Sequence, residues 1–167
     1  MRIIGIDPGY AIVGWGIVDY EGSRFRVVDY GAVITQAGLP LERRIEMIYD
    51  GLAEILKAYN PQLMAVEKLF FTTNQKTAID VAQARGAIML CAIKHGAQLY
   101  EYTPLQVKQS VTGYGKADKN QVQQMTKTLL ALPAIPKPDD TADALAIAIC
   151  CAHSAGARSR PLRAQGL

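Results

Sequence analysis

A chain of 167 residues, half of them hydrophobic, can bury a core of its own and reads as one domain. No apolar run approaches the roughly 18 residues of a membrane span. Asp7 and Pro8 break the N-terminal apolar run, so no signal-peptide pattern remains; membrane and exported classes are set aside and a cytoplasmic protein is expected. Charge is uneven, with six Lys/Arg against nine Asp/Glu in residues 1–67, nine against three in 68–137, and three of each in 138–167. The basic middle is either a polyanion-facing surface or an ordinary solvated one.

"IIGID" (3–7) and "IVGWGIVD" (12–19) are rich in Ile and Val and read as strands, joined by the turn "DPGY". A second turn, "EGS", leads to an alternating third strand, "RFRVVDYGAVIT", and short turns between three strands make an antiparallel meander. Residues 39–60 change period: Leu41, Ile45, Ile48, Leu52, Ile55 and Tyr59 predict an amphipathic helix that Asn60-Pro61 stops. "QLMAVEKLF", reached through that helix, fits a parallel strand. A long helix over 74–96 ends at Gly96, and "AQLYEYTP" is a fifth strand. "LQVKQSVTG" reads as a short helix and "YGKADK" as a mobile basic loop. "NQVQQMTKTLLAL" follows as a helix with Val122, Met125 and Leu129 on its inner face, then comes a proline-rich connector, "PAIPKPDD". "TADALAIAICCAHSAG" is an alanine-rich helix on the core. The expected fold is α/β, a five-stranded mixed sheet with helices around it, over residues 1–155. Residues 156–167 lack periodicity and are expected to be a disordered basic tail, with a role on DNA or a partner left open. Cys91, Cys150 and Cys151 have no metal-ligand spacing and are expected to be reduced core thiols.

Two acids do not belong where they stand. Asp7 and Glu67 each end an apolar strand, and an ionised carboxylate there loses water unless it is paired or bound to metal. Asp-Pro-Gly alone is turn chemistry. Two such acids on adjacent parallel strands would emerge together at the carboxyl edge of the sheet. In "PKPDDTADALAIAI", Asp140 and Asp143 share a helix face, although acids at a helix start also serve as caps. Asp139 is a cap or a solvated neighbour. Four carboxylates from three elements, with no His or Cys among them, describe a hard oxygen site for Mg²⁺ or Mn²⁺. Two such ions would suit phosphodiester cleavage.

Taken in order, "GIDPGYAIVGWGIV", "AVEKLFF", "AQARGAIML", "QVKQSVTGYGKADKNQVQ" and "DDTADALAIAI" resemble the bacterial RuvC-type Holliday junction resolvases, from residue 1 to about 155. The resemblance implies a ribonuclease-H-like fold, a homodimer and Mg²⁺-dependent symmetric nicking of four-way DNA junctions beside a branch-migration motor. It places Asp7, Glu67, Asp140 and Asp143 on the catalytic, metal-binding carboxylates. It places Phe70 where an aromatic meets distorted bases. Consecutive side chains cannot share a strand face, so Phe71 can be core, and the alternative is that both Phe are core. Lys108 and Lys119 fall on basic positions near the scissile phosphate and along the DNA, and Lys116 lies in the same loop. Arg85, beside Gly86 in a helix, is open to either DNA contact or helix packing. Two cuts in one junction call for two sites, which an isologous dimer supplies. The helix "TAIDVAQARGAIMLCAI" can pack on its own copy or within the chain.

Three other readings compete. A related nuclease would cut RNA–DNA hybrids. An actin-like or sugar-kinase-like ATPase domain also opens "GID-x-G", but 167 residues are short for the second domain it needs. A non-catalytic junction-binding module would have no physical reason to keep four mutually repelling acids.

Overall fold

The computed structural model describes residues 1–68 and 75–158. Phe70, Phe71 and the segment 159–167 lie outside the described residues. The chain runs β1 (Arg2–Asp7), β2 (Ile12–Glu21), β3 (Arg24–Ile34), α1 (Leu41–Tyr59), β4 (Leu63–Glu67), α2 (Gln75–Lys94), β5 (Gln98–Tyr102), α3 (Pro104–Thr112), α4 (Lys119–Leu129) and α5 (Asp139–Arg158). The strands lie in the order β3-β2-β1-β4-β5. β1, β2 and β3 form the antiparallel meander, while β1–β4 and β4–β5 are parallel, as expected of strands reached through helices. The meander turn places Gly22 and Ser23 at positive φ, the tight hairpin geometry that follows the twist of its strands. Asn60 ends α1 in the left-handed region, before Pro61.

The sheet separates two cores. One face packs on α1 and α2 through Ile4, Ile6, Met64, Val66, Ile48, Leu52 and Ile88. The other packs on α5, with α3 and α4 beyond it, through Ile3, Leu63, Ala65, Leu145 and Ile149. α5 is buried nearly all round from Ala142 to Ala152, as a helix between a sheet and two more helices must be. It lies close to the strands because Gly5, Gly14 and Gly16 have no side chains. A Cβ on Gly5 would strike the Ala144 carbonyl, one on Gly14 the Asp140 carbonyl, and one on Gly16 the Leu145 side chain. The three cysteines are free and buried. Among the described residues no helix is long and apolar enough to cross a membrane.

Three local readings change. α5 begins at Asp139, so Asp140 is helical and not part of the connector, and the helix runs through Arg158. The loop "YGKADK" is an anchored turn: Ala117 is buried, Asp118 caps α4, and Lys119 is already its first residue. On α4 the inner face is Val122, Gln123 and Thr126, while Met125 is exposed. The buried stripe advances by four residues from Val122, which turns Met125 outward.

Gly14→Ala should lower stability by about 1–3 kcal/mol, because the added methyl group meets backbone and cannot be absorbed by a rotamer change. Thermal unfolding of the variant beside the wild type measures it.

Candidate active site

Period-two alternation decides which side chains face α5. Ile3 and Gly5 of β1 face it, and Asp7 is the next residue of that set. Leu63 and Ala65 of β4 lie in the same core layer, followed by Glu67. The parallel register pairs Ile6 with Val66, so Asp7 and Glu67 leave neighbouring strands side by side at the carboxyl edge. The first turn of α5 rests its Asp140 backbone over Gly14 and brings Asp143 to the same edge.

Asp7, Glu67 and Asp143 line one cavity of about 200 Å³ together with Lys108 and Lys119, floored by Val107, Val122 and Ile147. Both lysines are held by short-range sequence chemistry. Thr103 and Gln106 form a reciprocal capping box at the start of α3, and Asp118 and Gln121 form another at the start of α4. Lys119 Nζ lies 3.0 Å from Asp143 Oδ2 and 3.6 Å from Asp139 Oδ2. A larger open groove of about 1070 Å³ lies at the opposite end of the sheet among Met1, Arg2, Asp19, Arg24 and Arg26. It mixes both signs, and Asp19 already bridges Arg2 and Arg26 there, so the smaller acid-lined cavity is the better candidate.

The remaining predicted residues separate. Asp140 is not among the residues that line the cavity, but its charge reaches both Asp7 and Asp143. Asp139 is taken up by Lys137 at 2.5 Å, which holds its carboxyl below the usual range. Lys116 is exposed on the α3–α4 turn and does not line the cavity. Arg85 is only 15 % exposed, donates from Nε to the Glu67 carbonyl at 3.4 Å and is ion-paired with Glu101, so the structure favours packing over DNA contact for this side chain. Sequence reasoning passed over Glu101. Its signal was an acid between two tyrosines in the strand "QLYEY".

The electrostatics are those of crowded anions. Burial first, and then the charges of Glu67, Asp143 and Asp140, together push Asp7 up to about 8 against the opposing charge of Lys119. Glu67 is raised by burial and by Asp143, against Lys108 and Lys119. Asp143 is raised by burial in spite of Lys119. Burial pulls Lys119 down, but its hydrogen bond to Asp143 and the charges of Asp143 and Asp139 outweigh this and leave it raised. A cluster this reluctant to ionise fits a hard divalent cation, which favours carboxylate oxygens and relieves their repulsion. Asp7, Glu67 and Asp143 are the residues placed to hold one, with Asp140 beside them. As the side chains stand, no group of three or more His, Cys, Asp or Glu among the described residues is gathered closely enough to enclose an ion. Lys119 serves instead as the counter-charge to Asp143.

Because Asp7 binds its proton far more tightly folded than unfolded, metal-free protein should lose stability as pH rises from about 4 to about 8. Asp7→Asn, which cannot ionise, should raise the Tm at pH 8 by on the order of 5 °C and change it little at pH 4. Thermal unfolding in chelator at both pH values tests this, and Mg²⁺ at pH 8 should narrow the gap by stabilising the wild type.

The family model of the crossover junction endodeoxyribonuclease RuvC matches residues 3–151. The RuvC protein of Alkaliphilus oremlandii is 57% identical over 92% of this chain and 94% of its own length, and that of Clostridioides difficile 58% over 92% and 91%. A Thermus thermophilus RuvC structure superimposes with a TM-score of 0.85 at 36% identity, over 95% of this chain and 96% of that one. The same organism's RuvC in complex with a Holliday junction substrate gives 0.87 with the same identity and coverage. The yeast mitochondrial Holliday junction resolvase Ydc2, at 14% identity and a TM-score of 0.65, shares the fold. With a ribonuclease-H-like sheet, an acidic cavity at its carboxyl edge and a match that spans nearly all of both chains, this protein belongs to the RuvC crossover junction endodeoxyribonuclease family.

Proposed function

We propose that the protein resolves four-way (Holliday) DNA junctions by metal-dependent symmetric nicking of two strands, in homologous recombination and repair. Family membership carries the reading, and the meeting of Asp7, Glu67 and Asp143 with Lys108 and Lys119 in one cavity supports it chemically. Cleavage of RNA–DNA hybrids and an ATPase domain are not favoured by that membership. In this reading Asp7, Glu67, Asp140 and Asp143 are the catalytic carboxylates and hold Mg²⁺, two ions per site, with Mn²⁺ as a substitute. When bound, the ions supply an ionised water for attack on the phosphodiester and positive charge for the leaving oxygen.

The chain's own groups do the rest. Asp7 would release its proton to solvent on binding a metal, and Glu67 would orient the attacking water. Lys108 and Lys119 present ammonium groups to phosphate oxygens, with Lys119 exchanging Asp143 for the backbone of the nucleic acid. Lys116 adds charge along the DNA, and Phe70 is assigned to the distorted bases. The working unit is a homodimer. Ile79, Leu90 and Ile93 are exposed on α2, positions 79, 86 and 93 recur at seven-residue spacing, and Gly86 leaves open space on the helix surface, which suits a second copy of the helix. A branch-migration motor as partner, a single nuclease domain over residues 1–155 with a basic tail, and a cytoplasmic location complete the proposal.

A synthetic mobile four-way junction, incubated with and without Mg²⁺, should show paired symmetric nicks only with the metal, and an RNA–DNA hybrid should be left intact. Hybrid cleavage without junction cleavage would reverse the substrate assignment. Asp7→Asn or Asp143→Asn should slow nicking by on the order of a hundredfold or more while junction affinity stays close to wild type, since phosphate contacts carry binding. Lys119→Ala should weaken binding and lower the slope of log affinity against log salt by about one. Leu90→Asp combined with Ile93→Asp should yield a monomer in sedimentation.

A further inference from the structure

Arg85 approaches the proposed catalytic edge from behind. Its neighbours Ala84, Ile88, Cys91 and Ala92 on α2 belong to the core on the far side of the sheet from α5. Leu99 of β5 lies in that same core, so Glu101, two residues on, faces Arg85 and not the acid cavity. The guanidinium donates from Nε to the Glu67 carbonyl at 3.4 Å, rests Nη1 3.4 Å from Met89 Sδ, and is ion-paired with Glu101. Glu67 ends β4 and is in register with Tyr102 of β5, and the Lys68 amide donates to the Tyr102 carbonyl at 2.8 Å. One planar fork therefore spans from the last residue of β4 to the penultimate residue of β5, at the point where β4 ends in a cavity acid. A guanidinium suits this place because it offers several donors in fixed directions.

We propose that Arg85, braced by Glu101, is a positioning residue that fixes the end of β4 through the Glu67 main chain and so aims the Glu67 carboxylate into the acid cavity on the opposite face of the sheet. The idea rests on the resolvase reading for its catalytic consequence but not for the clamp itself. Ligand-supporting residues of this kind change rate or metal affinity by 10–100-fold without touching substrate.

The test uses the full chain as wild type, Arg85→Gln, Arg85→Lys, Glu101→Gln and the Arg85→Gln/Glu101→Gln pair. Amide hydrogen exchange reads the clamp without any cleavage: the Lys68 N–H should exchange about tenfold faster in Arg85→Gln and in Glu101→Gln. Single-turnover nicking of a four-way junction should fall by roughly 10–100-fold in Arg85→Gln. Junction affinity and its salt slope should be unchanged, and the double variant should be no slower than Arg85→Gln, since both residues act through one contact. Arg85→Lys should recover little of the rate, because an ammonium cannot span both strands. Unchanged Lys68 exchange overturns the clamp whatever the protein cuts. Weaker binding with a salt slope lowered by about one, or a lysine variant that restores full activity, returns Arg85 to DNA contact. A wild type that nicks no junction defeats the resolvase reading alone, leaving exchange to decide the clamp. Should Arg85→Gln fail to fold, Glu101→Gln carries the same measurements.

Discussion

α5 touches the sheet where three glycines leave room for it. Gly5, Gly14 and Gly16 bring strand backbone against the Ala144 carbonyl, the Asp140 carbonyl and Leu145, a separation that any side chain would widen. That closeness places the first turn of α5 at the ends of β1 and β4, so Asp143 reaches the two strand-end acids. The same helix supplies much of the second core through Leu145, Ile147 and Ile149. Stability and site geometry therefore rest on one seam, and a helix displaced by a methyl group would alter both.

What the seam assembles is electrostatically unfavourable until something positive arrives. Asp7 is held up to about 8 by burial and by its anionic neighbours, and Glu67 and Asp143 are raised by burial. Lys119 answers part of this charge through Asp143, and Asp139 is drawn off by Lys137. Lys108 and Lys119 offset the acids only in part, since Asp7, Glu67 and Asp143 all stay raised, and a divalent cation would relieve what is left.

Much of this was legible in the sequence, and the parts that were not have physical reasons. Asp7 and Glu67 announced themselves because each ends an apolar strand, and the alternation of inward and outward residues placed them on one face. Asp143 was marked by the buried run after it. The strand glycines gave no hint that they seat a helix, because the partner atoms lie more than a hundred residues away. The inner face of α4 was misassigned at Met125 because three- and four-residue steps are nearly equal in a short helix, and packing chose the Val122–Thr126 step. Arg85 stayed ambiguous because its partner, Glu101, sits in another element, and a charge in a helix carries no mark of which way it faces. Lys108 and Lys119 drew their roles from the family likeness, and the structure adds that they border the same cavity.

The capping boxes at Thr103 and Asp118 have a consequence for how quickly a polyanion can be engaged. Each fixes the opening turn of a short helix with its own side chains, and Ala117 is buried between them. The main chain beneath Lys108 and Lys119 is set before any ligand arrives, and only two flexible hydrocarbon stems have still to be immobilised. Capture through these two lysines then needs no folding of the α3–α4 turn, and the entropy they lose is confined to their side-chain rotors.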